Sequence, residues 1–110
     1  MSADAAFDLL SQIFDMTPEA PNSDAEPSDV IEQCMAMVTT RGQPLAALRR
    51  ILDSQPRVFA NDTRAADILA AMRVREVEWN AAVHRAKQSL RNRLAAVQRL
   101  RCTRRRSRQS

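Results

Sequence analysis

At 110 residues, 45% of them hydrophobic but only 4% aromatic and none of them tyrosine, the chain is sized for one small domain with an aliphatic core. A single glycine excludes glycine-rich phosphate loops and argues against a sandwich or barrel of tight hairpins. The net charge of +4 conceals a polarity: residues 1–40 hold eight acids and no Lys or Arg, while residues 79–110 hold ten bases and no acid. Such a gradient points to an anionic partner for the C-terminus or to pairing between opposite ends.

Residues 3–15 read as a short amphipathic helix. Ala6, Leu9, Leu10, Ile13 and Phe14 recur at three and four, and Phe7 widens the same stripe. Ser2 is placed to cap it, and Asp4 suits a helix N-terminus. The stretch TPEAPNSDAEPS over residues 17–28, with three prolines and three acids, reads as a solvated linker. Asp29, with Glu32 three residues on, has the spacing of a capping box for a second helix. Its expected apolar face is Ile31, Cys34, Met35 and Val38, flanked by Val30 and Met37. Gly42 falls where a left-handed residue would close that helix, and Pro44 sits in the first turn of a third. The third helix shows Leu45, Leu48, Ile51 and Leu52 on one face and ends near Asp53, so the pair is expected to form an αα-hairpin.

Asn61 or Asp62 can cap the last helix. No Gly or Pro follows, and one long helix is predicted from about Thr63 to about Arg101. With Leu69 taken as an a position, the a set is Leu69, Glu76, Val83, Leu90 and Val97. The d set is Met72, Trp79, Ala86, Arg93 and Leu100. Glu76 and Arg93 interrupt an otherwise apolar coiled-coil-like seam, and Leu94 lies outside it. The same Ile68, Leu69, Met72 and Trp79 would equally cover the shorter helices of an intramolecular bundle. The predicted fold is therefore all-α: a small bundle of three short helices and one long C-terminal helix. Its parts are an N-terminal helix (1–16), an acidic Pro-rich linker (17–28), a helical domain (29–101) and a basic tail (102–110).

Catalytic chemistry finds no local support. His84 is the sole histidine and its neighbours Val83, Arg85 and Lys87 include no acid, so it reads as a surface residue. One His and two distant Cys do not make a metal site, and Cys34 reads as a small buried hydrophobe. Cys102, among arginines, reads as a free thiol near a frayed end. No apolar run approaches the roughly 18 residues of a membrane span. The first base is Arg41, so no secretory leader is expected either. A reducing cytoplasm, with both thiols free, is the expected compartment. The segment DTRAADILAAMRVREV (Asp62–Val77) loosely resembles the start of a helix-turn-helix, but Ala70 and Ala71 favour an unbroken helix.

The expectation is thus a non-enzymatic regulatory or adaptor protein, without catalytic residues, metal, cofactor or small-molecule substrate. It would sequester or modulate a partner protein, such as a transcription regulator, through an amphipathic helical surface. Phe7, Leu10, Ile13 and Phe14 are the candidate partner-binding residues. Met72, Trp79, Val83 and Leu90 are the candidate dimerisation residues of a homodimer. The alternative is a DNA- or RNA-binding regulator using Arg99, Arg101, Arg104, Arg105, Arg106 and Arg108. Six phosphate contacts would give a slope of log K against log salt of about −5.

Overall fold

The computed structural model describes residues 3–109, with side chains described from Asp4 to Arg104. Four helices follow in order: α1 (Ala3–Asp15), α2 (Pro27–Thr40), α3 (Gly42–Ser54) and α4 (Thr63–Gln109). No strand occurs among the described residues. The expected all-α architecture of three short helices and one long one is what the chain adopts. At 1.5 Å per residue the 47 residues of α4 span about 70 Å, and they set the 75 Å length of the molecule. The radius of gyration is 20.9 Å, against about 13 Å for a compact domain of this size.

The core lies where α1 packs on α3 and on the start of α4. Ala6, Leu10, Ile13, Leu48, Ile51 and Ala65 are buried there, with Phe7, Leu52, Ile68, Leu69 and Met72 closing around them. Each fully buried Leu or Ile contributes about 1.5–3 kcal/mol. Between α3 and α4 the chain turns three times in succession, through Val58 N–H to Gln55 O, Ala60 N–H to Arg57 O and Asp62 N–H to Phe59 O. Val58 and Phe59 thereby seal one end of the core. A second, smaller core joins Val30 of α2 to Ala82 and Ala86 of α4, where small side chains let the helices approach closely.

Several local expectations need correction. Ser2 lies outside the described residues. Helix α2 starts at Pro27, ahead of the capping box expected at Asp29, because proline at the first helical position lacks only an N–H that would be orphaned anyway. Its N-cap is Glu26, whose side chain makes no capping bond. Gly42 does not take a left-handed conformation. Instead Arg41 (φ −86°, ψ 2°) carries the chain on, with Arg41 N–H bonded to Met37 O and Leu45 N–H to Arg41 O. The break between the helices follows from Pro44, which has no N–H for Thr40 O and whose ring crowds that carbonyl.

The expected αα-hairpin is therefore absent. Val30 packs beside Ala82 and Ala86, Arg41 reaches Glu76, and Leu48 and Ile51 join the core around Ala65. So α2 and α3 run end to end, antiparallel to α4, while α1 runs parallel to it. The buried face of α2 is rotated as well. It consists of Pro27, Val30 and Met37, which leaves Met35 and Val38 in solvent. Finally, α4 continues to Gln109, past the stop expected near Arg101, since no helix breaker intervenes.

Candidate functional site

The placement of α4 depends on a polar clamp at the end of α1. Pro18, with no N–H for Phe14 O, prevents that helix from continuing, and Thr17 O and Pro18 O just past its end have no helical donor. Side chains of α4 supply one to each, and the α2–α3 junction reaches the Thr17 hydroxyl. Arg75 Nη1 donates to Thr17 O at 2.6 Å, and its guanidinium stacks on the Phe14 ring at 4.1 Å. Trp79 Nε1 donates to Pro18 O at 2.7 Å. The buried Thr17 hydroxyl donates to Ile13 O at 2.8 Å and accepts from Arg41 Nη1 at 3.2 Å. Arg41 in turn pairs with Glu76 Oε1 at 2.5 Å. These bonds lock α1, the α2–α3 junction and the first half of α4 into one body.

At its start, α4 is capped by Asp62, one of the two candidates the sequence offers. Asp62 Oδ1 accepts from Arg64 N–H at 3.0 Å and Ala65 N–H at 3.2 Å. The Ala65 backbone bond, aided by the Arg64 side chain, holds the Asp62 carboxyl below its ordinary range. Arg64 also stacks on Phe7 at 4.4 Å. Farther along, Arg93 Nη1 meets Glu26 Oε1 at 2.6 Å, and that carboxylate holds the guanidinium pKa above its ordinary value.

The Arg93–Glu26 contact marks the limit of cover. Up to it, the apolar stripe of α4 is covered first by α1 and then by α2: Ala65, Trp79, Ala82 and Ala86 are buried. Leu90 is half-buried. The same helical stripe then continues into solvent, with Leu94 59%, Val97 45% and Leu100 62% exposed. Arg91, Arg99, Arg101 and Arg104 surround it, all exposed and with no acid on the segment. This bare, basic, apolar stretch is the candidate site.

The sequence-predicted residues divide around it. Leu10 and Ile13 are buried in the core of their own chain, with Phe7 and Phe14 half-buried beneath arginines. They hold the bundle together, so α1 is not a free docking helix here. Met72, Trp79 and Val83 likewise pack within the chain. Of the seam positions, Val97 and Leu100 are the ones left bare. The side chains of Arg105, Arg106 and Arg108 lie outside the described ones. The structure does not bring Cys34, His84 and a carboxylate into a common pocket: Cys34 is half-buried, while His84 and Cys102 are exposed. Among the described residues no group of three His, Cys, Asp or Glu is placed to hold a metal. A cavity of about 60 Å³ lies between the linker and α4, lined by Asn22, Pro27, Val30, Ala82 and Arg85, and wider surface grooves of about 480 Å³ beside Ala95, Arg99 and Cys102 and of about 420 Å³ beside Leu45 and Arg49 are open to solvent. Among the described residues no helix is long and apolar enough to cross a membrane.

Sequence reasoning missed the uncovered flank of α2 and the polar clamp. A signal for the clamp was present: Glu76 and Arg93, the two charged interruptions of the heptad pattern, are the residues that pair with Arg41 and Glu26. No protein-family model matches the chain, and no curated protein or solved structure shows significant similarity to it.

Proposed function

We propose that this chain is a non-enzymatic regulatory or adaptor protein that binds another protein stoichiometrically, with the bare stretch of α4 as its contact surface. One observation carries this reading. The stripe that α1 and α2 cover over most of α4 continues as Leu94, Val97 and Leu100 with nothing over it. An apolar helical face at three- and four-residue spacing is the form in which one helix enters the groove of a partner. The partner would present an acidic rim, since the surrounding side chains are arginines. A partner regulator in a reducing cytoplasm, held away from its own assembly, is the concrete setting.

The test is a comparative pull-down with the wild-type chain and a Leu94→Gln, Val97→Gln, Leu100→Gln variant. A protein retained in stoichiometric amount by the wild type at high salt and lost from the variant is the expected result. Retention that ignores the three leucine and valine positions refutes the reading.

The arginines favour a second reading, in which the segment binds nucleic acid. Its signature is a duplex affinity falling with salt at a slope of about −0.9 per phosphate contact, with sequence preference surviving at physiological salt. Loss of all binding there removes it.

A further inference from the structure

The molecule carries a second uncovered apolar surface, and it is complementary to the first. On α2 the outer flank bears Met35, 65% exposed, and Val38, 53% exposed, with half-buried Ile31 beside them. Glu32 rims this flank one turn away, and Asp29 lies at the same end of the helix. Residues 1–40 carry only acids, whereas residues 79–110 carry only bases. The two surfaces cannot meet within one chain. Arg41 is level with Glu76 and Val30 with Ala82 and Ala86, so Val97 lies at least about 16 Å farther along a continuous helix.

We infer that a second copy of this chain covers the bare stretch of α4, each copy laying its Leu94–Leu100 segment along the Ile31–Met35–Val38 flank of the other. The inference rests on reading that stretch as a protein-binding surface. Pairing like with like is disfavoured: α4 against α4 sets arginine against arginine, and α2 against α2 sets acid against acid. Of these three pairings, the unlike one joins apolar to apolar and base to acid. The lengths agree as well. Helix α2, with 14 residues, is about 21 Å long, and the part of α4 beyond Arg93 is about 24 Å. Because α2 runs antiparallel to α4 and its Ile31–Val38 flank lies level with about residues 78–86 of that helix, two antiparallel copies related by a two-fold axis near Leu90 place each bare segment level with the other's flank. Both contacts then form at once, and the assembly closes as a dimer.

The experiment is light scattering coupled to size exclusion on the full chain and on two variants at exposed positions. One is Val97→Glu with Leu100→Glu, the other Met35→Lys with Val38→Lys, and circular dichroism confirms that both are folded. The wild type is expected to be a dimer. Each variant alone should dissociate, its dimer weakened at least about tenfold. Mixing the two should restore a 1:1 dimer, since one copy then keeps an intact tail and the other an intact flank. A monomeric wild type, a flank variant that stays dimeric, or a mixture that fails to pair overturns the inference. A monomer that still captures another protein through Leu94, Val97 and Leu100 overturns the dimer but leaves the proposed function standing. A dimer of the expected kind that captures no other protein does the reverse.

Discussion

Replacing Trp79 by Phe tests whether the middle of α4 belongs to the interior of its own chain. Trp79 is only 2% exposed and its indole N–H donates to Pro18 O at 2.7 Å. The Phe variant keeps the aromatic ring but loses that bond and leaves Pro18 O without its donor, costing about 1–1.5 kcal/mol. The smaller ring vacates about 40 Å³, which at roughly 24 cal/mol per Å³ adds about 1 kcal/mol. The expected loss is therefore about 2 kcal/mol, against roughly 3–5 kcal/mol for Trp79→Ala. With an m-value of about 1–3 kcal/mol/M the urea midpoint should fall by roughly 1 M. Circular dichroism is the appropriate assay, because the substitution removes the only Trp of the chain. In the wild type that Trp should emit at the short wavelengths of a buried indole. The loss should also be independent of protein concentration, since the contact is intramolecular. A destabilisation below about 0.5 kcal/mol, or one that grows on dilution, would refute the placement.

Three further substitutions probe the clamp, the cap and the bare stripe. Glu76→Ala strands the nearly buried Arg41 guanidinium and should cost about 1.5–3 kcal/mol in urea unfolding. Adding Arg41→Met should recover at least half of that, because the stranded charge is then gone too. Asp62→Ala removes the acceptor for Arg64 N–H and Ala65 N–H, so the thermal midpoint should drop at neutral pH. The folded carboxyl titrates below its ordinary value of 3.8, so its contribution is full above that value and is lost as pH falls through the lower folded one. Melting curves of wild type and variant should accordingly converge only in strong acid, and convergence already near neutrality would contradict the cap. Leu94→Gln with Val97→Gln and Leu100→Gln should leave stability within about 0.5 kcal/mol per site, because these side chains touch no core. A larger loss that does not depend on protein concentration would mean the stripe is already covered within its own chain.

Much of this fold is legible in the residues. The three- and four-residue spacing of Leu10, Ile13, Leu48 and Ile51 selects core positions that the structure buries. Asp62 announces the start of α4, and the absence of Gly and Pro after it explains the helix length. What failed was local geometry that depends on tertiary context. On α2, two apolar flanks compete for burial. Periodicity favours Ile31, Met35 and Val38, yet Val30 wins because small Ala82 and Ala86 admit it closely. Gly42 resembled a helix stop, but the break comes from Pro44, and without a left-handed residue the two helices do not fold back side by side. That one difference turns a hairpin into two helices laid end to end. It also decides how far along α4 the cover extends.

The extent of cover is what separates the readings of the C-terminal region. An arginine-rich segment that only attracts phosphate needs no apolar register, since charge density alone supplies the attraction. Here Leu90, Val97 and Leu100 keep the spacing of the seam that α1 and α2 cover, with Leu94 beside them, while the arginines sit around the helix. Within the covered part, each interruption of the seam is matched by a partner: Glu76 by Arg41 and Arg93 by Glu26. Beyond Arg93 the apolar positions continue with no such partner in the same chain. A helix this long could have been shortened at Arg93 without exposing either core, because the buried residues of both precede it. The residues past that point therefore add apolar surface that intramolecular packing does not use. That surface is what the proposed protein partner would cover, whereas the charge sets only the sign of what such a partner would present.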